Sequence, residues 1–228
     1  MTIAASMIFR QCVEALNDLT SVTWPMAELA RHFNAVQRQI VTVRPDATAT
    51  AAALALVAGT RQTIPNDGLK LIRVVRNTNG PAIRQIAAKE LDNFNPGWHT
   101  LTGSTTILHY MFDPREPRVF YVYKPASVGA SVDLVYGKYP ADISIPAAGS
   151  IWSDATGNMD LPDIYERPLI DGILALAYMR DDENGNPGRA QSYRASFADA
   201  LGIEAKATLA ISPAAMVTSR GAGAPPAA

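Results

Sequence analysis

Cysteine is almost missing from this chain. Cys12 stands alone among 228 residues, so no disulfide can close within it, and the sequence reads as one that folds in a reducing cytoplasm. Histidine is scarce as well. His32, His99 and His109 are the only three, and none stands at a recognised ligand spacing from another metal-binding residue type. An excess of either charge is also lacking: 20 Lys and Arg face 21 Asp and Glu, a formal net charge of -1. A grip on nucleic-acid phosphates needs a basic excess, so nucleic-acid binding is disfavoured as the main activity. No apolar run reaches the length of about 18 residues that a membrane-spanning helix requires, and a soluble chain is expected. The opening MTIAASMIFRQCVEALND meets Arg10 and Glu14 too early for an export signal and reads as an amphipathic helix.

The motifs of common chemistries are missing in the same way. There is no G-x-S-x-G elbow, no Walker loop, no G-x-G-x-x-G and no H-E-x-x-H. DDENGNPGRA (181–190) has the oxygen-rich look of a calcium loop. Counted from Asp182, however, Pro187 takes the glycine place and Tyr193 the glutamate place; counted from Asp181, these are Asn186 and Ser192. It reads as a turn. Asp160 with Asp163, and Asp181 with Asp182 and Glu183, fall at helix boundaries where capping explains them. His32 is expected on a solvated helix face, His99 in a turn and His109 in a strand. No catalytic residue, metal site or cofactor is expected.

What is present is ordinary globular material, 48% hydrophobic, enough for one or two modest domains. Ile8, Cys12, Ala15, Leu16 and Leu19 recur at helical spacing. A second helix is predicted with Thr23 as N-cap, Pro25 in its first turn, a stripe of Leu29, Phe33, Val36, Ile40 and Val43, and Pro45 as its stop. From Asp46 the texture changes to short apolar runs cut by Gly, Pro, Asn and Asp. Strands are predicted near 53–57, 68–76, 83–86, 106–111, 119–123 and 131–136, the last two as a hairpin. Aromatics from Trp98 to Tyr139 concentrate there and read as cross-strand packing, while Lys70, Arg73, Arg76 and Arg84 gather on one strand pair. Helical period returns with Leu169, Ile173, Leu176 and Ala177 after an Asp163 cap. A second stripe of Ala190, Tyr193, Phe197 and Leu201 then ends at Gly202, so ENGNPG joins an αα-hairpin. The rest, rich in Ala, Gly and Pro, has too few large side chains for a core and is expected to order only on a partner.

The pieces WPMAELARHFNAVQRQIVTVRPDA, RQTIPNDGLKLIRVVRN, NPGW, FYVYKP, LPDIYERPLIDGILALAYMRDDE and GRAQSYRASFADALG occur in that order. In that order the chain resembles the tailed-bacteriophage adaptor proteins, the head-to-tail connectors that complete the head. The resemblance implies an α+β fold: a helical bundle formed from N- and C-terminal helices (1–45 and 158–202) with an inserted antiparallel β-domain (46–157) and an extended C-terminal tail (203–228). It further implies a structural virion protein without catalytic residues, located at the head-tail junction and assembled in the host cytoplasm. Its expected partners are itself, as a dodecameric ring, the portal protein and a downstream tail protein, with genomic DNA passing through unbound. The tail is expected to reach the portal through Leu209, Ile211, Met216 and Val217. A different class of reading is a carbohydrate- or host-binding β module of a tail fibre or baseplate.

Overall fold

Apolar residues at three- and four-residue spacing build the first helix, α1 (Ala5–Leu16), which buries Ile8, Phe9, Cys12, Val13 and Leu16 and ends on Asn17 in the left-handed conformation. The structure, a computed structural model, describes residues 3–211. Helix α2 (Met26–Val43) buries Leu29, Phe33, Val36 and Ile40, whereas Val43 falls on its exposed side. Thr23 is not its cap. The amides of Thr23 and Trp24 donate to Oδ2 of Asp18 at 2.8 Å each and that of Val22 to Oδ1 at 3.1 Å, so one carboxylate organises the loop into the helix. The Pro25 carbonyl then accepts the first helical bond, from Glu28.

Helix α4 (Glu166–Tyr178) follows a short turn at Asp163–Tyr165 and carries Pro168 in its first turn, where no backbone N–H is needed. It is buried almost all round, and α1, α2 and α5 (Pro187–Ile211) pack against it. Gly172 makes that possible. A Cβ there would lie 2.5 Å from Cγ1 of Val36 and 3.4 Å from Cδ2 of Phe197. The bend before α5 is fixed by three contacts: Asn186 caps the helix by accepting the Arg189 amide at 3.0 Å, Pro187 occupies the first helical position, and the Arg180 carbonyl sits where a Cβ on Gly185 would be, 2.0 Å away. The αα-hairpin expected from the sequence is present. Gly202, expected to end its second helix, lies instead within α5, which continues to Ile211; this glycine does not take the left-handed conformation that ends a helix.

These helices, with the chain from Asp142 to α4, form one unit; Pro45–Ala141 form the other. Residues 142–157, placed with the β-domain by the sequence reading, therefore sit with the helices. Asn34 of α2 explains this, because its side-chain amide donates to the Ile143 carbonyl (3.1 Å) and accepts the Ile143 N–H (2.9 Å), and Arg38 pairs with Asp142.

The second unit holds two sheets. One has the order β1 (Ala49–Ala55), β7 (Ser131–Lys138), β3 (Gly68–Asn77); the other runs β2 (Gly59–Thr63), β6 (Val119–Ala126), β5 (His109–Phe112), β4 (Arg84–Gln85). All pairs are antiparallel except β4 with β5. One core fills the space between the sheets: Leu71, Val74, Val132, Leu134 and Tyr136 come from the first, and Tyr110, Phe120 and Val122 from the second. The hairpin expected from β6 and β7 is not formed, since the chain crosses from one sheet to the other between them. Alternation fixed which side chains face inward, and they do; it carries no information on which strand lies alongside. A short helix, α3 (Ala88–Phe94), went unpredicted because only Leu91 of its seven residues is buried. Strand β2 (GTRQT) was missed for the same reason, with Gln62 its one buried residue.

Candidate interaction surfaces

The ionisable groups that invite a catalytic reading are the three histidines, Cys12 and Asp171. His32 is half-buried on α2 rather than solvated, with Nε2 at 3.6 Å from Oε1 of Glu28, too long for a hydrogen bond. Burial pushes its pKa down, and Glu28 opposes the shift. His99 stacks on Trp98 with ring centroids 3.7 Å apart and shares a 2.8 Å hydrogen bond with the Thr60 hydroxyl. His109 lies parallel to Tyr123 on the neighbouring strand. The Cys12 thiol is fully buried; burial foremost, and then the Asp171 carboxylate, push its pKa up to about 12. The nucleophilic thiolate is thereby suppressed.

Asp171, 1% exposed, is the most deeply buried carboxylate among the described residues. It accepts a 2.7 Å hydrogen bond from the Ser196 hydroxyl and an ion pair from Arg167 at 3.0 Å, tying α4 to α5. The Ser196–Asp171 bond supplies registry between the two helices. Among the described residues no group of three or more His, Cys, Asp or Glu side chains is arranged to hold a metal ion. Nor is any helix among them long and apolar enough to cross a membrane.

Trp98, Tyr110, Phe120 and Tyr136 are buried within the second unit. Trp98 is buried beside Leu91 and Met111, donates its indole N–H to Asp92 at 2.9 Å, and meets Tyr123 edge-on. The indole of Trp98 is therefore taken up internally, between His99 and Tyr123, while Tyr139 is half exposed. Between α3 and β5 an open groove of about 910 Å³ is lined by Ile86, Met111, Phe112 and Tyr121, with Lys89, Glu90 and Glu116 on its rim. Phe94, at the end of α3, is 91% exposed. At another end of this unit Val57 and Val128 stand out on neighbouring loops, linked through a 2.9 Å bond from the Leu56 N–H to the Ala130 carbonyl. In the helical unit, Met179, Pro187, Ala190, Gln191 and Arg194 line an apolar groove of about 510 Å³.

The outer face of the three-stranded sheet is divided by charge. Lys70, Arg73 and Arg76 lie in register with Gly137, Val135 and Asp133 of β7, and Arg76 pairs with Asp133 at 2.7 Å. That bond and one from Thr78 hold the Asp133 carboxyl below the usual carboxylate range. Arg84, on β4, belongs to the other sheet. On the far side of β7 stand Ala49, Ala51, Ala53 and Ala55, all exposed. Large apolar side chains at chain bends and an uncharged sheet margin are what contact surfaces for other proteins offer.

Of the tail residues expected to meet a partner, Leu209 and Ile211 fall within α5, in line with the helix rather than in an extended segment. Met216 and Val217 lie outside the described residues. The exposed surfaces named above were not legible beforehand, because an isolated Val or Phe in a strand-rich sequence reads as core until its neighbours are known.

The family model described as SU10 adaptor protein matches residues 4–219. No curated protein matches the sequence. With nearly its whole length matched, the chain belongs to the SU10 adaptor family, a phage family of structural adaptors that are not enzymes.

Proposed function

We propose that this SU10 adaptor completes the head-to-tail junction of a tailed phage, forming a homo-oligomeric ring, a dodecamer, between the portal and the tail protein that follows. The observation that carries the reading is the family match from residue 4 to residue 219, which takes in both units and the whole of α5. The physical character of the chain agrees with it. A near-neutral charge balance suits a channel wall past which DNA must slide, because a basic lining would hold phosphates through counterion release. Buried ionisable groups committed to packing suit a component whose work is mechanical. Assembly takes place in the host cytoplasm, and the ring remains in the virion.

On this reading the C-terminal part of α5 approaches the portal, with Leu209 and Ile211 as its leading apolar residues and the chain beyond, including Met216 and Val217, available for further contacts. The test is direct. Purified chain is mixed with purified portal rings and viewed by negative-stain electron microscopy. The expected result is an added ring of density on one face of the portal, with a copy number matching the portal's. Portals that stay bare at micromolar chain concentrations would sink the proposal.

A further inference from the structure

We propose that the open edge of β1 receives a strand from a neighbouring copy of this chain, and that the strand is the C-terminal segment 214–219. The inference rests on the ring reading above and names the contact that would join one subunit to the next.

The edge comes first. β1 is the outermost strand of its sheet and pairs with β7 in unbroken register from Ala49 opposite Gly137 to Ala55 opposite Ser131. Half of its backbone N–H and C=O groups therefore point away from β7. Among the described residues no backbone hydrogen bond reaches them from that side. Sheet edges are normally blunted by charge, proline or bulges, because a bare edge pairs with whatever strand it meets. ATAAALA has none of these. The opposite edge has nearly all of them. β3 breaks register three times, carries Lys70, Arg73 and Arg76, and has its Leu71 and Asn77 N–H groups taken by the carbonyls of Pro117 and Pro81. One edge of the sheet is thus protected and the other is left open, with Ala52 and Leu54 half-buried at the rim of the core behind it.

The occupant follows from where the chain goes. The described helix ends at Ile211, yet the family match continues to residue 219. The intervening sequence is SPAAMVTS: Pro213 opposes further helix, and AAMVTS is uncharged and includes the β-branched Val217 and Thr218. Six extended residues span about 20 Å, nearly the length of β1. With Met216 turned inward it covers Ala52 and Leu54, and Val217 then shares the outer face with Ala53. A donor segment and an acceptor edge on one chain form a head-to-tail contact, and repetition of such a contact closes a ring. Pairing of β1 with β1 of a second copy would stop at a dimer.

Two full-length variants, Ala53→Cys and Val217→Cys, are mixed and oxidised; the native Cys12 is fully buried and does not compete. Ala53 is exposed, so the fold is expected to persist, as an unchanged melting temperature would verify. The expected result is a disulfide between positions 53 and 217 of different chains, in about tenfold excess over the same mixture with Arg115→Cys replacing Ala53→Cys, because pairing raises effective concentration. Self-linked Ala53→Cys alone would assign the edge to a two-fold dimer and overturn the proposal. So would a link that forms within an Ala53→Cys/Val217→Cys chain but never across the mixture, and so would no link at all. Portals that are decorated while the 53–217 link is absent would overturn this contact and leave the ring standing. The link without decoration would do the reverse.

Discussion

Replacing Gly172 by alanine tests the packing of the helical unit at its tightest point. Two effects compete. Alanine is better than glycine inside a helix by about 0.8–1 kcal/mol, which favours the variant. Against this, the new methyl would lie 2.5 Å from Cγ1 of Val36, closer than two carbons can sit, and a tight 3.1 Å from Cγ2. Val36 is fully buried in α2, and its branched side chain has one good rotamer in a helix, so it cannot swing aside. Forcing an extra methyl into such a place costs about 1–3 kcal/mol, and the net expectation is a loss of about 1 kcal/mol. The decisive experiment is the cycle with Val36→Ala. That change alone removes two methylene equivalents and leaves a cavity, a loss of about 2 kcal/mol. In its background Gly172→Ala fills the space and gains the helix preference, so the same substitution turns from destabilising to stabilising, with a coupling of about 1.5–3 kcal/mol. Urea unfolding of the four proteins measures it. Effects that add to within about 0.5 kcal/mol would refute the contact between α4 and α2.

Phe197→Ala and Leu174→Ala each remove a buried side chain from the hairpin and are expected to cost about 2–5 kcal/mol in urea unfolding; parent-like stability would refute the pairing of α4 with α5. Millimolar calcium should leave the melting temperature unchanged, since the 181–186 loop is held by Asn186, Gly185 and an Arg180–Asp182 ion pair; a rise reversed by chelator would contradict that account. Burial holds the His32 pKa below its ordinary 6.5, so the unfolded chain binds the extra proton first and stability should fall as pH drops below about 6.5. His32→Gln should flatten that part of the pH profile, and an unchanged slope in the variant would assign the titration elsewhere.

Helices with broad apolar stripes were the most legible part of the sequence, because Leu29, Phe33, Val36 and Ile40 leave one reading of period and length. The inward sides of β6 and β7 were legible too, yet their partners were not: period-two alternation is the same whether two strands share a sheet or face each other across a core. Ends of elements were legible only where local chemistry decides them. Asn186 and Pro187 mark the start of α5 by capping and fixed φ, while Gly202 misled because a glycine ends a helix only when the chain must turn there. Asp18 explains the misplaced cap at Thr23. Its carboxylate gathers three amides from residues four to six positions on, a spacing that no short-range cap rule covers. The interaction surfaces were largely illegible, since an open sheet edge is defined by what fails to pair with it.

Four side-chain amides share one habit. Asn34 grips both polar groups of Ile143; Gln37 accepts the Asp160 N–H; Gln62 bonds Val57 on both sides and Gly59 besides; Asn77 reaches Pro81 and both groups of Ile107. The bonds named are all to main chain, so each amide is indifferent to the side chains of the loop it fastens. Sequence freedom should therefore be distributed unevenly among descendants of this gene: Ile143, Val57 and Pro81 can drift as far as their own packing permits, whereas an anchoring amide has no substitute of the same reach and double polarity. A lineage altering such a loop in length, with its amide untouched, would keep the attachment and move only the span between fastenings, which lets the outline of the protein follow a changing neighbour while its interior stays as it was.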